Sequence, residues 1–127
     1  MKQRLADETE TLAMAARLTR HITPGSVVFL KGNLGAGKTT LVRGYLRALG
    51  YQGAVKSPTF TLVEEYPLPT GTVYHFDLYR LAHPEELYSL GISDYLTADA
   101  ISFIEWPERG LGVLPEADLT IKLHIDG

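Results

Sequence analysis

Cysteine is absent from the 127 residues. Disulfides, thiolate metal sites and cysteine nucleophiles are therefore excluded, and carboxylates, histidine, lysine and hydroxyls are left to carry any chemistry. No apolar run approaches the length needed to span a bilayer. The stretch Met1–Arg4 turns acidic at Asp7, Glu8 and Glu10 with no apolar segment of the signal-peptide kind, so the chain reads as cytoplasmic with no membrane partner. An excess of positive charge is missing too: 12 Lys and Arg against 15 Asp and Glu give a formal charge of -3. That balance argues against broad electrostatic adhesion to nucleic acid, and any nucleic acid in this protein's biology is expected to be held by a partner.

What is present is an ordinary globular composition, 45% hydrophobic and 21% charged, at a length that fits one domain over residues 1–127. Asp7 with Glu10 resembles a capping box, and Met14, Leu18 and Ile22 recur at a spacing of four, which predicts a helix of roughly four turns. Thr23-Pro24-Gly25 stops it. Val27-Val28-Phe29-Leu30 is a continuous apolar run of the kind a strand shows when both its faces are covered. A second helical pattern through Leu41, Leu46 and Leu49 closes at Gly50. Residues 61–66 and 72–77 predict a hairpin around the five-residue loop Pro67 to Gly71. Pro84 to Gly91 predicts a short helix, Ile101-Ser102-Phe103-Ile104 a second buried strand, and Leu119 to Ile125 a last one. These elements predict a three-layer α/β fold with a mainly parallel sheet and an attached antiparallel hairpin.

Between the first strand and the second helix lies Gly32-Asn33-Leu34-Gly35-Ala36-Gly37-Lys38-Thr39-Thr40. Backbone N–H groups converge on an anion only where the main chain can come close, and Gly32, Gly35 and Gly37 allow that. Lys38 is expected as a solvent-facing charge that reaches the outer phosphates of ATP, the Thr39 hydroxyl as a Mg2+ ligand, and the helix start as a favourable dipole end.

A magnesium nucleotide site also needs acids at strand ends. Glu105 ends an apolar strand in the manner of a Walker B acid, and Asp77 ends the second hairpin strand before Tyr79 and Arg80. Both positions also suit solvated or helix-capping acids. His75 alternates with the apolar residues of its strand, suits a hydrogen-bonded structural histidine at least as well as a catalytic one, and stays outside the candidate set. Lys56-Ser57-Pro58-Thr59 reads equally as a phosphate-sensing loop or a hydroxyl-capped turn. Trp106 is the only tryptophan. It sits beside Glu105, where it suits either a ligand or partner surface or, as is more usual, a core anchor.

GNLGAGKTT, KSPTFTLVEEY, VYHFDLYR, the PEEL and GI.DYL strings and IEWPE together resemble the TsaE family, also called YjeE, over roughly residues 5 to 125. The resemblance implies an ATPase that assists TsaB and TsaD in making threonylcarbamoyladenosine in tRNA, touching tRNA only through that complex. It implies catalytic roles for Asp77, Glu105 and Lys38, ATP binding by residues 32–40, and Mg2+ on Thr39 and Glu105. By the same likeness, residues around Asp7 to Thr11 lie near the base, Ser57 to Thr59 form a switch-like loop, and Trp106 faces a functional surface. Similar proteins usually continue past the position of Asp126. The runner-up reading is a small-molecule kinase, but such enzymes close an arginine-bearing lid, and after Arg80 the only lysine or arginine residues are Arg109 and Lys122. A signalling GTPase is excluded by the lack of N-K-x-D and D-x-x-G strings.

Overall fold

Successive side chains of a strand face opposite ways, so a strand covered on both sides must be apolar at odd and even positions alike. The run Val27 to Leu30 meets that condition, and Phe103 and Ile104 meet it in a second strand. The structure, a computed structural model, describes residues 8–32 and 37–123. In chain order it forms α1 (Glu8–Leu18), β1 (Val27–Gly32), α2 (Lys38–Ala48), β2 (Val63–Leu68), β3 (Gly71–Asp77), α3 (Glu86–Leu90), α4 (Ile92–Tyr95), β4 (Ile101–Glu105), a 3-10 turn (Pro107–Gly110) and β5 (Leu119–Leu123). The strands lie in the order β2-β3-β4-β1-β5. β3, β4, β1 and β5 run parallel, and β2 pairs antiparallel with β3 at one edge.

Val28, Leu30, Val73, Phe103, Ile121 and Leu123 face α1 and α2, where Met14, Leu18, Leu41, Tyr45 and Leu46 complete one buried cluster. Val27, Phe76 and Ile104, one residue out of phase on the same strands, join Leu78, Leu81, Leu87 and Ile92 in a second cluster on the other face. The three-layer α/β arrangement with its attached hairpin is thus the one expected. Gly44 lets α1 and α2 approach closely: a Cβ there would lie 2.8 Å from Leu12 and 2.9 Å from the Ala15 methyl. Gly50 ends α2 as expected, its N–H donating to the Arg47 carbonyl while that of Tyr51 reaches Leu46, the paired bonds of a Schellman cap.

Three boundaries differ from expectation. α1 stops at Leu18 after 11 residues because the chain tightens there: His21 and Ile22 both donate to the Leu18 carbonyl, and Ile22 is buried from a turn rather than from a helix. Asp7, half of the expected capping box, lies outside the described residues. The hairpin loop is Pro69-Thr70 alone, since Leu68 pairs with Gly71 and Pro67 with Thr72. Pro67 is tolerated because β2 is an edge strand, where a missing N–H need not break an interior ladder. At its other end, Thr61 and Leu62 form a turn instead of beginning the strand, with Leu62 at φ 72°. α4 was not anticipated, and the expected continuation of β5 to Ile125 lies outside the described residues.

Candidate nucleotide site

Parallel strands bring all their carboxyl ends to one edge of a sheet, where α/β proteins bind ligands. Here that edge carries the expected acids side by side: Leu30 of β1 is in register with Glu105 of β4, and Glu105 with Asp77 of β3. β1 runs on to Gly32, where a Cβ would come within 2.4 Å of the Leu123 carbonyl oxygen, so a side chain there would force β1 and β5 apart. Asn33, Leu34, Gly35 and Ala36 lie outside the described residues. Gly37 caps α2 in a left-handed conformation (φ 91°, ψ 17°), with no capping side chain among the described residues. Among the described residues, nothing lies within 4 Å of where a Cβ on Gly37 would stand. Thr39 and Thr40 follow in the first turn, both partly buried.

Lys38 departs from the solvent-facing charge expected of it. It is 5% exposed. Its ammonium donates to the Gly32 carbonyl at 3.1 Å and lies 3.3 Å from Glu105 Oε1, 5.0 Å over the Trp106 ring. A buried cation needs such partners, and the nearby acid supplies the charge. Burial alone would push the Glu105 carboxyl up. The His75 hydrogen bond and charge, then Lys38, outweigh that and hold it below the usual carboxylate range.

His75, which residue types alone did not single out, also meets this edge. It is fully buried, and its Nε2–H donates to Glu105 Oε2, while its Nδ1 has no partner among the described residues. The signal available in the sequence was the alternation Val73, His75, Asp77, which puts the imidazole on the same face as the strand-end acid.

Asp77 is buried as well and held by two donors: the Tyr79 N–H reaches Oδ1 at 2.9 Å and the Thr59 hydroxyl reaches Oδ2 at 3.3 Å. Thr59 in turn bonds the Ser57 hydroxyl at 2.8 Å. The Ser57-Pro58-Thr59 loop therefore meets the acid edge directly. Trp106 takes a left-handed backbone (φ 56°, ψ 50°) that costs a non-glycine residue ~1 kcal/mol. Its indole N–H is buried with no partner among the described residues, and its ring meets Tyr79 at 4.9 Å. Outside it, Arg109 lies over Tyr79 and Arg80 over Phe60, which is 84% exposed.

These donors fit a nucleotide with its metal. The start of α2 and Lys38 suit phosphate, and hydroxyl and carboxylate oxygens suit Mg2+, which takes one or two carboxylates and leaves its other positions to phosphates and water. Among the described residues no cluster of three or more His, Cys, Asp or Glu could hold a metal.

The profile of the family described as "Threonylcarbamoyl adenosine biosynthesis protein TsaE" matches residues 5–127. The chain belongs to the TsaE family. The family member named tRNA threonylcarbamoyladenosine biosynthesis protein TsaE in Haemophilus influenzae is 57% identical over 106 residues, a match covering 84% of this chain and 67% of that protein. The TsaE protein of Bacillus subtilis, under the same name, is 36% identical over 127 residues, or 100% of this chain and 79% of the relative. The crystal structure of YdiB from the same genus and species matches with a TM-score of 0.82 at 32% identity, over 100% of this chain and 78% of that one. The P-loop fold of the TsaE family is therefore the fold of this chain. No helix among the described residues is long and apolar enough to cross a membrane.

Proposed function

We propose that this protein is a Mg2+-dependent ATPase of tRNA threonylcarbamoyladenosine synthesis, working in the cytoplasm as a single domain with a TsaB–TsaD complex that itself holds the tRNA. The observation that carries this reading is the in-register pair Asp77 and Glu105 beside Lys38 at the start of α2, in a chain of the TsaE family. Residues 32–40 bind the phosphates, with Lys38 exchanging Glu105 for their charge. Thr39 and Glu105 hold the metal, which when bound neutralises charge on the transferring phosphoryl group. Asp77, fixed by Thr59 and Tyr79, orients the attacking water or its proton.

Positive charge on the transition state is the part this site has least of. Phosphoryl transfer lacking an arginine finger typically loses 10³- to 10⁵-fold in rate, roughly. Arg80, three residues after Asp77, is exposed and lies over the Phe60 ring, where a docked partner can redirect it. Slow hydrolysis by the isolated chain and marked acceleration by TsaB–TsaD are the expected results. Phosphate release measured for the chain alone, for the mixture and for the mixture with Arg80→Ala tests this, alongside formation of modified tRNA. Fast hydrolysis by the isolated chain with no response to the partners would overturn the reading, and phosphate appearing on a small acceptor would favour a kinase.

A further inference from the structure

Glu105 offers two oxygens, and they face different neighbours. Oε1 is met by the Lys38 ammonium from the side of the nucleotide segment. Oε2 is met by His75 Nε2–H from within the sheet, two residues before Asp77 on the neighbouring strand. Lys38 hangs from a flexible four-carbon stem at the first position of α2 and can swing to another anion. His75 cannot move in the same way: it is fully buried on β3, and among the described residues its ring has no second hydrogen bond to rotate toward.

We propose that His75 is a positioning residue for Glu105. By holding Oε2 it fixes the carboxylate in one rotamer, so that when Lys38 leaves for phosphate the freed Oε1 already points at the metal position. Without His75 the carboxylate would have to be ordered at the moment the metal binds, and metal affinity would suffer even though every direct ligand remained. Outer partners of metal ligands commonly contribute about 10- to 100-fold in affinity in this way. The inference rests on the proposed role of Glu105 at a metal-nucleotide site.

Its test is binding, not turnover. Calorimetric titration of a non-hydrolysable ATP analogue, with and without Mg2+, is compared for the parent protein, His75→Phe and His75→Gln. Phenylalanine fills the imidazole space without a donor, and the glutamine amide places an N–H near Nε2. His75→Phe is expected to raise the half-saturating Mg2+ concentration about tenfold or more while the Mg2+-free affinity stays at the parent value, and His75→Gln is expected to restore most of the loss. A merely structural histidine would instead lower thermal stability and both affinities together.

Nitrogen-resolved NMR of the parent adds a measurement that needs no substitution at His75. A protected, downfield Nε2 proton is expected, shifting upfield in Glu105→Ala. Unchanged Mg2+ dependence in folded His75→Phe, or a ring with no proton on Nε2, would overturn the positioning role while leaving the ATPase reading intact. A parent protein whose nucleotide affinity ignores Mg2+ would overturn both.

Discussion

The two faces of the sheet are built from the same strands and part company only at the carboxyl edge. Under α1 and α2, β3 reads Val73, His75, Asp77, β4 reads Phe103, Glu105, and β1 reads Val28, Leu30, Gly32, each passing from apolar to polar or bare backbone. On the opposite face Tyr74, Phe76 and Leu78, and Ile104 and Trp106, are apolar or aromatic at that edge, and Ser102 and Lys31 are the polar exceptions. Burial does not separate them, since His75 and Phe76 are both at 0% exposure and Glu105 is at 5%. What differs is the source of stability. Phe76 is held by area removed from water, whereas Glu105 is held by His75 and Lys38, and the Lys38 contact is one that a ligand can replace.

The widest gap between the faces should appear on truncating Phe76. Phe76→Ala empties a fully buried position between the sheet and Tyr95, whose ring lies 5.4 Å away, and is expected to cost about 3–5 kcal/mol in urea unfolding. Nucleotide affinity of the folded protein should be unchanged. A loss of affinity at full folding would mean that the apolar face shapes the site as well as supporting it.

Lys38→Ala inverts that pattern. ATP affinity is expected to fall about tenfold to a hundredfold, the worth of roughly 1.5–3 kcal/mol for a hydrogen bond to a charged group. Because Lys38 is buried against Glu105 rather than facing solvent, the substitution should also lower stability, by about 1–2 kcal/mol, through the carboxylate left with His75 alone. Calorimetry and chemical unfolding on the same sample separate the two effects. Full retention of ATP affinity would remove the nucleotide role of this edge.

Glu105 ties the polar face to pH. Its carboxyl is held below the ordinary value of 4.5 in the folded protein, so between the folded and ordinary values the unfolded chain binds more protons. Stability from this group is therefore complete above about pH 4.5 and is lost as pH falls toward the folded value. Glu105→Gln should flatten the acid limb of the stability curve measured from pH 6 downward, an effect smaller than that of Lys38→Ala. An unaltered acid limb would show that the carboxylate gains nothing from His75 and Lys38.

Legibility in the sequence followed the same division. The apolar face could be read because area is a property of residue type: Val27 to Leu30 and Ile101 to Ile104 announced buried strands, and the strands lie there. The acids were legible as strand ends, and Gly50 as a cap. The pairing between them was not, because register is a relation among distant segments. Nothing local places Asp77 opposite Glu105 or folds Lys38 back onto β4. His75 had the alternation of its strand in its favour but no visible partner, and an imidazole without a partner reads as structural. The hairpin loop was overestimated at five residues because Pro67 looks like a turn until its strand is known to be the edge.

The smallest effect concerns the loop that joins the two kinds of stability. Thr59 sends its hydroxyl to Asp77 Oδ2 at 3.3 Å, a long bond to an acid that also accepts the Tyr79 N–H. Two backbone bonds lock the same corner independently, from Leu62 N–H to the Pro58 carbonyl and from Asp77 N–H to the Leu62 carbonyl, each 2.9 Å. Thr59→Val keeps the branched shape and removes only the hydroxyl. The backbone bonds remain, so the loss in stability is expected to stay under about 1 kcal/mol. Asp77 would keep its Tyr79 donor but lose the tie to the Ser57-Pro58-Thr59 loop. Hydrogen exchange should therefore quicken at the Leu62 and Asp77 amides while the amides of β1 keep their protection. If Thr59→Val instead destabilised the protein as much as Phe76→Ala, the acid edge would be part of the folding core, and the division between a face held by area and a face held by exchangeable partners would fail.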